Sequence, residues 1–193
     1  MGSFITNLHV RCADRHAVIA ALRSLDAVPA YVRGSSETTW TSIFPDAAGH
    51  DEAVLPEMAR ALSKALQLPV IAFIVHDSDI LRYWLCDGGE ELDRYNSAPG
   101  YFTDEDEATP PEGGNPAVLT AYCLPGPSRD RLLRLLNSED FVFAEDRLAE
   151  LAKILGIPER PAVDSYHYLV DGQGAPGSLT LVQAEGEESI RLD

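Results

Sequence analysis

The spacing of apolar residues changes along the N-terminal part of the chain. In residues 4–10 it is every second position, which predicts a strand, and in the residues that follow it is the spacing of a helix. Short runs of β-forming residues at 30–33 and 38–44 predict two further strands, and a second helical stripe covers 52–67. The uninterrupted apolar run at 70–75 is too short for a buried helix and predicts a central strand covered on both faces. The order of these elements is that of a ferredoxin-like βαββαβ start.

Beyond this start, the pattern predicts a meander and then a mainly helical segment. Residues 80–86 and 91–96 are strand-like runs separated by a tight Gly-Gly turn. Apolar residues at helical spacing over 144–155 predict an amphipathic helix, which a glycine and then a proline terminate. The runs 166–170 and 179–182 predict a closing hairpin.

These elements predict one α+β domain over residues 1–193. Its antiparallel sheet and first helices occupy 1–96, a loop rich in acidic residues, Gly and Pro occupies 97–115, and a helical segment plus hairpin occupies 116–193. A ferredoxin-like start hosts many unrelated activities, so the predicted fold class implies no particular chemistry.

The strand register predicts which side chains share a face of the sheet. If the glycines at 88–89 form the second turn, Trp84 faces Asp93 and Arg82 faces Tyr95, and side chains alternate between faces along each strand. A one-residue slip would exchange the two faces. The predicted binding site on one face consists of His76, Arg82, Trp84, Asp93 and Tyr95.

This predicted site has a functional and a structural interpretation. As a binding surface, its arginine and aspartate anchor a ligand or partner, and its aromatic rings supply contact area. As a purely structural feature, the same residues are ordinary cross-strand neighbours. The opposite face is expected to lie beneath helices and carries Ile71, Phe73, Val75, Leu81, Tyr83, Leu85 and Leu92.

The tetrapeptide His76-Asp77-Ser78-Asp79 places an imidazole beside two carboxylates. These are metal-ligating and acid–base groups, but Asp and Ser are also typical of tight turns, and we predict no metal site. A thiol–imidazole pair is excluded for Cys86, because it lies roughly 20 Å from His76 along the ladder. The chain carries no phosphate-, dinucleotide- or zinc-binding motif, so we predict no cofactor.

Net charge narrows the choice of partner. The 15 Lys and Arg residues against 31 Asp and Glu residues give a net charge of −16, which disfavours nucleic acid and anionic membrane surfaces. The acidic run at 104–107 lacks the spacing of an EF-hand calcium loop and would attract a basic protein partner. The chain has no apolar stretch long enough for a transmembrane helix, and its three scattered cysteines predict a cytoplasmic protein.

Residues 62–102 combine a helix, an apolar strand ending in an H-D-x-D turn, an aromatic strand, a Gly turn and the segment D-x-Y-N-S-x-P-x-Y-F. This combination resembles the core of a family of uncharacterised bacterial proteins. The segments 143–158 and 165–169 also look similar to that family. No activity is known for the family, so the resemblance implies an architecture and a bacterial origin but no mechanism.

Size, charge and the predicted site together favour a non-enzymatic protein-binding or regulatory module, similar in kind to an immunity protein that neutralises a toxin. The first alternative is an enzyme acting on a small molecule, with His76 and either Asp77 or Asp79 as acid–base groups. The second is an acidic protein that mimics DNA.

Overall fold

The predicted order of strands and helices holds through residue 96, except that residues 46–50, expected as a loop, form a short helix. The computed structural model describes residues 2–34, 38–103, 109–126, 129–138, 140–173, 179–184 and 190–192. Its strands are β1 (Ile5–Val10), β2 (Ala30–Arg33), β3 (Thr41–Pro45), β4 (Val70–His76), β5 (Ile80–Asp87), β6 (Glu90–Asn96), β7 (Glu112–Gly113), β8 (Leu179–Val182) and β9 (Ile190–Leu192). Its helices are α1 (Arg15–Ser24), α2 (Asp46–His50), α3 (Val54–Leu66), α4 (Pro116–Leu119), α5 (Arg129–Asn137), α6 (Ala144–Leu155), α7 (Glu159–Ala162) and α8 (Tyr166–Val170).

The strands join in one nine-stranded sheet with the order β7-β6-β5-β4-β1-β3-β2-β8-β9. All neighbouring strands are antiparallel. Because β1 lies between β3 and β4, each of the first two helical connections crosses over an intervening strand, as the predicted ferredoxin-like start requires. The predicted extension by a meander is also confirmed, since β5 and β6 continue the sheet outward from β4. The fold is therefore α+β.

Helices cover both faces of this sheet. The face that carries Phe73 and Tyr83 lies beneath α5 and α6, so the expectation that helices cover it is confirmed except at Leu92, which is 39% exposed. The other face, with Val70 and Ala72, is covered by α1 and α3. These two helices share a face because each connects parallel strands, and such crossovers are right-handed. The apolar run of β4 is buried on both sides as a result.

The closing hairpin forms from a different pair of segments than the sequence predicts. Residues 166–170 form helix α8 and not a strand, although their aromatic residues favour β-structure. Tyr166 instead packs its ring 5.1 Å from that of Tyr31 on β2. The hairpin forms between β8 and β9, and β8 also pairs with β2. Tertiary packing thus overrides the local preference of this segment.

A buried hydrogen-bond network joins β1 to the C-terminal helices. The Asn7 amide nitrogen donates to the carbonyl oxygens of Ala162 and Asp164, each at 2.9 Å. The Asn7 amide oxygen lies 3.0 Å from His9 Nε2, and His9 Nδ1 lies 2.9 Å from Ser42 Oγ. Because an amide oxygen can only accept, Nε2 carries a proton. Burial favours the neutral ring, in which Nδ1 accepts from the Ser42 hydroxyl, so both nitrogens are bonded.

Burial lowers the pKa of His9 to about 3, and this predicts a specific acid sensitivity. Below pH 6.5 the unfolded chain binds a proton at this imidazole that the folded protein does not, so stability falls as pH falls toward 3. Between pH 7 and pH 5 we expect the wild-type protein to lose about 2 kcal/mol more unfolding free energy than His9→Gln. Urea unfolding of both proteins at the two pH values measures this difference, and parallel losses would show that His9 does not titrate in this way.

Candidate functional site

A β-bulge changes the register inside the second hairpin. At the turn the predicted register is correct, with Cys86 opposite Glu91. Between Leu85 and Cys86 the register shifts by one residue, so that Leu85 lies opposite Asp93 and Leu92 is the extra residue of β6. The turn glycines determine the register where the hairpin begins, whereas a bulge inserted further along the strand has no local signature here.

The shift separates the predicted site into two groups. His76, Arg82 and Trp84 lie on the face covered by α1 and α3, whereas Asp93 and Tyr95 lie on the opposite face. The prediction that all five share one face is wrong because every β6 residue beyond the bulge is turned over.

Asp93 and Tyr95 are bonded within the fold, and the Asp93 carboxylate also accepts from the Asn115 N–H at 2.9 Å. The Tyr83 hydroxyl donates to the Asp93 carboxylate at 2.7 Å, and burial raises the pKa of Asp93 despite this bond. The Tyr95 hydroxyl donates to the Leu136 carbonyl and accepts from Arg147, both at 2.6 Å. The Asp93 contact thus joins β6 to β5, and the Tyr95 contacts join β6 to α5 and α6.

Glu52 joins two residues that remain together on the other face. Its Oε1 accepts from His76 Nδ1 at 3.1 Å, and its Oε2 accepts from the Arg82 guanidinium. All three side chains are partly exposed. The sequence pattern places Glu52 only at the start of a helix. It contains no signal for this contact, because Glu52 lies in the loop before α3 and its partners lie on β4 and β5.

The H-D-S-D segment forms a tight turn between β4 and β5. Asp77 and Ser78 both have positive φ angles, 51° and 62°, as the central residues of a type I′ hairpin turn do. The Ser78 hydroxyl donates to Glu145 at 2.9 Å, and the Ser78 carbonyl accepts from the Ala144 N–H at 2.7 Å. The turn therefore anchors the first residues of α6.

The two turn carboxylates are bonded to other groups than the imidazole. Asp77 accepts from the Gly2 N–H at 3.1 Å, and Asp79 accepts from the Tyr101 hydroxyl at 3.0 Å. In the contacts that the structure describes, His76 is bonded to Glu52 and to neither aspartate. The described residues also contain no group of three or more His, Cys, Asp or Glu side chains that could hold a metal.

Four aromatic side chains, which we name the aromatic patch, surround this turn: Phe4, His76, Tyr101 and Phe102. The His76 ring centroid lies 5.0 Å from Phe4, 5.1 Å from Phe102 and 6.2 Å from Tyr101, all edge to face. Phe102 is 66% exposed, Tyr101 42% and Phe4 39%. Exposed aromatic rings in mutual contact distinguish this surface from isolated exposed apolar residues.

The D-x-Y-N-S-x-P-x-Y-F segment brings two of these rings back to the turn. The Asn96 side-chain oxygen accepts from the Ala98 N–H at 3.1 Å, which reverses the chain after β6. Ser97 then exchanges hydrogen bonds with the backbone of Leu81, each at 2.9 Å. Sequence analysis missed Tyr101 as a site residue because its contact with Asp79 depends on this reversal.

Arg82 and Trp84 line an open cavity of about 590 Å³ at the β7 end of the sheet. We name it the arginine groove. Its lining residues are Arg82, Trp84, Arg94, Tyr95, Asn96, Glu112 and Gly113.

Cysteine chemistry does not contribute to either surface. Burial raises the pKa of the Cys86 and Cys123 thiols to about 11, so both are protonated at neutral pH. The three cysteines are free thiols.

Comparisons of the chain with protein-family models, with curated proteins and with solved structures gave no match. The resemblance to a family of uncharacterised bacterial proteins therefore stays a prediction. Within the part of the chain that the structure describes, no helix has the length and apolar character needed to span a membrane.

Proposed function

We propose that this protein is a non-enzymatic protein-binding module whose aromatic patch docks a basic segment of a partner protein. The observation that carries the proposal is the contact of three exposed rings, Phe4, Tyr101 and Phe102, around one imidazole. Aromatic side chains are enriched in protein interfaces, where a few clustered residues carry most of the binding energy.

The charge around the patch favours a cationic partner. Four carboxylates lie around the same turn. Asp77 and Asp79 belong to the turn itself. Glu145 accepts from Ser78 of the turn, and Glu52 accepts from His76 next to it. Aromatic faces beside carboxylates attract lysine and arginine side chains through cation–π and ionic interactions together. The chain's net charge of −16 acts in the same direction at long range.

The acidic run at 104–107 begins two residues after Phe102 in the sequence but lies outside the described residues. Its charge would add to the attraction of a basic partner wherever it lies within a Debye length of the patch. The proposal needs only the described carboxylates.

The enzyme alternative has less support, because His76 donates to Glu52 within a ring of aromatic side chains and makes no described bond to Asp77 or Asp79. For the cellular setting we propose the cytoplasm of a bacterium. The free thiols support the reducing compartment, and the family resemblance supports the bacterial origin.

Affinity capture with matched surface variants tests the docking surface. We expect wild-type protein to retain a basic partner that Phe102→Ser loses, with binding weakened by about 2 kcal/mol. Leu124→Ser is the control, because Leu124 is similarly exposed (51%) but bonds to Ile154 at the far end of α6. The captured partner is then purified, and its dissociation constants for all three proteins are measured at two salt concentrations.

Two results would contradict the proposal. One is full-strength binding of the purified partner by Phe102→Ser. The other is binding that does not weaken with added salt, because a basic segment held by these carboxylates must be sensitive to screening.

A further inference from the structure

We propose that the arginine groove is a second binding site, separate from the aromatic patch, that takes an acidic peptide segment through Arg82 and Arg94. The two residues lie on neighbouring strands and both line the cavity. The inference goes beyond the proposed function, since the groove presents two arginines beside Glu112, whereas carboxylates surround the patch.

The β-bulge is what assembles this site. If the register at the glycine turn continued along the whole hairpin, Arg94 would lie on the same face as Tyr83, beneath the C-terminal helices. The extra residue Leu92 turns Arg94 over, so that it lies opposite Trp84 on the face that carries Arg82. Bulges often serve to redirect a side chain in this way next to functional sites.

Cross-strand pairing sets the spacing of the cationic groups. Arg82 lies opposite Asn96 and Trp84 lies opposite Arg94, so the two arginines are diagonal neighbours. Diagonal pairs on adjacent strands are about 7–8 Å apart, within reach of two guanidinium groups that converge on one anion. The Arg82 guanidinium lies 6.0 Å from the Trp84 ring centroid. The indole therefore forms an apolar floor beside the charges.

Both arginines already contact carboxylates of this chain. Arg82 already holds a carboxylate, that of Glu52. The side chain of Arg94 is 74% exposed, and its ion pair with Glu91 is long at 3.9 Å. A guanidinium that contacts its carboxylate only at this distance keeps most of its donors for another acceptor.

The shape of the groove favours a peptide over a small molecule. Its walls include the exposed residues Arg94 and Glu112, whereas small-molecule sites enclose most of the ligand surface. Strand addition to β6 is disfavoured, because β7 already pairs with its last two residues and because the bulge and charged side chains occupy the rest of Glu90–Asn96. An acidic segment bound through its side chains satisfies both constraints.

Fluorescence of Trp84 provides a direct test with purified protein. The chain has two tryptophans, and Trp40 is buried with its indole N–H bonded to Leu155, so only Trp84 reports on the groove. The probe is an acetylated hexaglutamate amide, and the corresponding hexaglutamine peptide is the neutral control. Ionic strength is kept at about 0.15 M, where the Debye length is about 8 Å and distant carboxylates are screened. Trp84→Phe supplies the blank.

We expect hexaglutamate, but not hexaglutamine, to change the Trp84 emission in a saturable way. Arg94→Gln should weaken binding about tenfold, the effect of losing one charge-assisted contact. Glu112→Gln should tighten it, because an acidic wall of the groove is neutralised. Arg134→Gln, an exposed substitution of equal charge on α5, should leave the affinity within about twofold.

Three results would overturn the inference: no response to hexaglutamate, equal weakening by Arg94→Gln and Arg134→Gln, or free glutamate binding as tightly as the peptide. The last result would identify a small-anion site. Phe102→Ser should bind hexaglutamate normally, so the test is independent of the proposed function.

Discussion

Replacing Asn7 by alanine is expected to lower the free energy of unfolding by about 4 kcal/mol, because it leaves several buried polar groups without partners. The Asn7 side chain donates to two backbone carbonyls, those of Ala162 and Asp164, and accepts from His9. Asn7, His9 and Ser42 are each at most 2% exposed, so water cannot replace the lost bonds. Denaturant unfolding followed by circular dichroism measures the effect.

Asn137→Ala is the matched control. Asn137 is exposed, and among the described residues its side chain donates one hydrogen bond, 2.8 Å long, to Leu133 within its own helix. We expect this variant to lose less than about 1 kcal/mol. Similar losses for the two variants would mean that the buried network contributes no more than an ordinary surface contact.

Replacing Arg33 by methionine is expected to lower the unfolding free energy by about 3–5 kcal/mol. Arg33 donates to the Asp164 carboxylate at 2.8 Å, and both side chains are only 8% exposed. Without the guanidinium, the protein buries the Asp164 carboxylate without this ion pair, so less of the cost of desolvating that charge is offset.

The double variant Arg33→Met/Asp164→Asn separates this charge effect from lost packing. Because it buries no carboxylate, we expect it to be more stable than Arg33→Met alone. Lys153→Met is the surface control, since Lys153 pairs with Glu150 and Glu159 at an exposed site, and its unfolding midpoint should be nearly unchanged. A double variant less stable than Arg33→Met would show that the loss arises from packing.

Glu52 connects the two surfaces that we propose for binding. Its carboxylate bonds His76 in the aromatic patch with one oxygen and Arg82 in the arginine groove with the other. An acidic segment in the groove would compete with Glu52 for Arg82 and so alter the contact of Glu52 with His76. The two sites are thus physically adjacent although they suit partners of opposite charge.

Predictions that depend on neighbouring residues were the accurate ones. The helix over Ala144–Leu155 has the predicted bounds, because an apolar stripe and the glycine after it are both local signals. The pairing of Val70 with Cys86 and of Ala72 with Trp84 follows from the turn at 77–79. A turn determines the pairing of the residues nearest to it.

Predictions that depend on distant partners were the inaccurate ones. The bulge at Leu92 separates Asp93 from Trp84, and helix α8 replaces a predicted strand. Both outcomes are determined by packing: Tyr83 bonds Asp93, and Tyr166 packs against Tyr31. These contacts join residues far apart in the chain, so the local spacing of apolar residues does not predict them.

The amino-acid sequence by itself determined the ferredoxin-like start, the meander, the helix at 144–155 and the strongly acidic charge. Each of these follows from composition or from a repeat of two to four residues. Only the tertiary structure decided which face each β6 side chain occupies, and that Glu52, Tyr101 and Phe102 reach His76. The physical reason is that these contacts join residues far apart in the chain, and they form only where packing, hydrogen bonding and burial of the whole sheet are satisfied together.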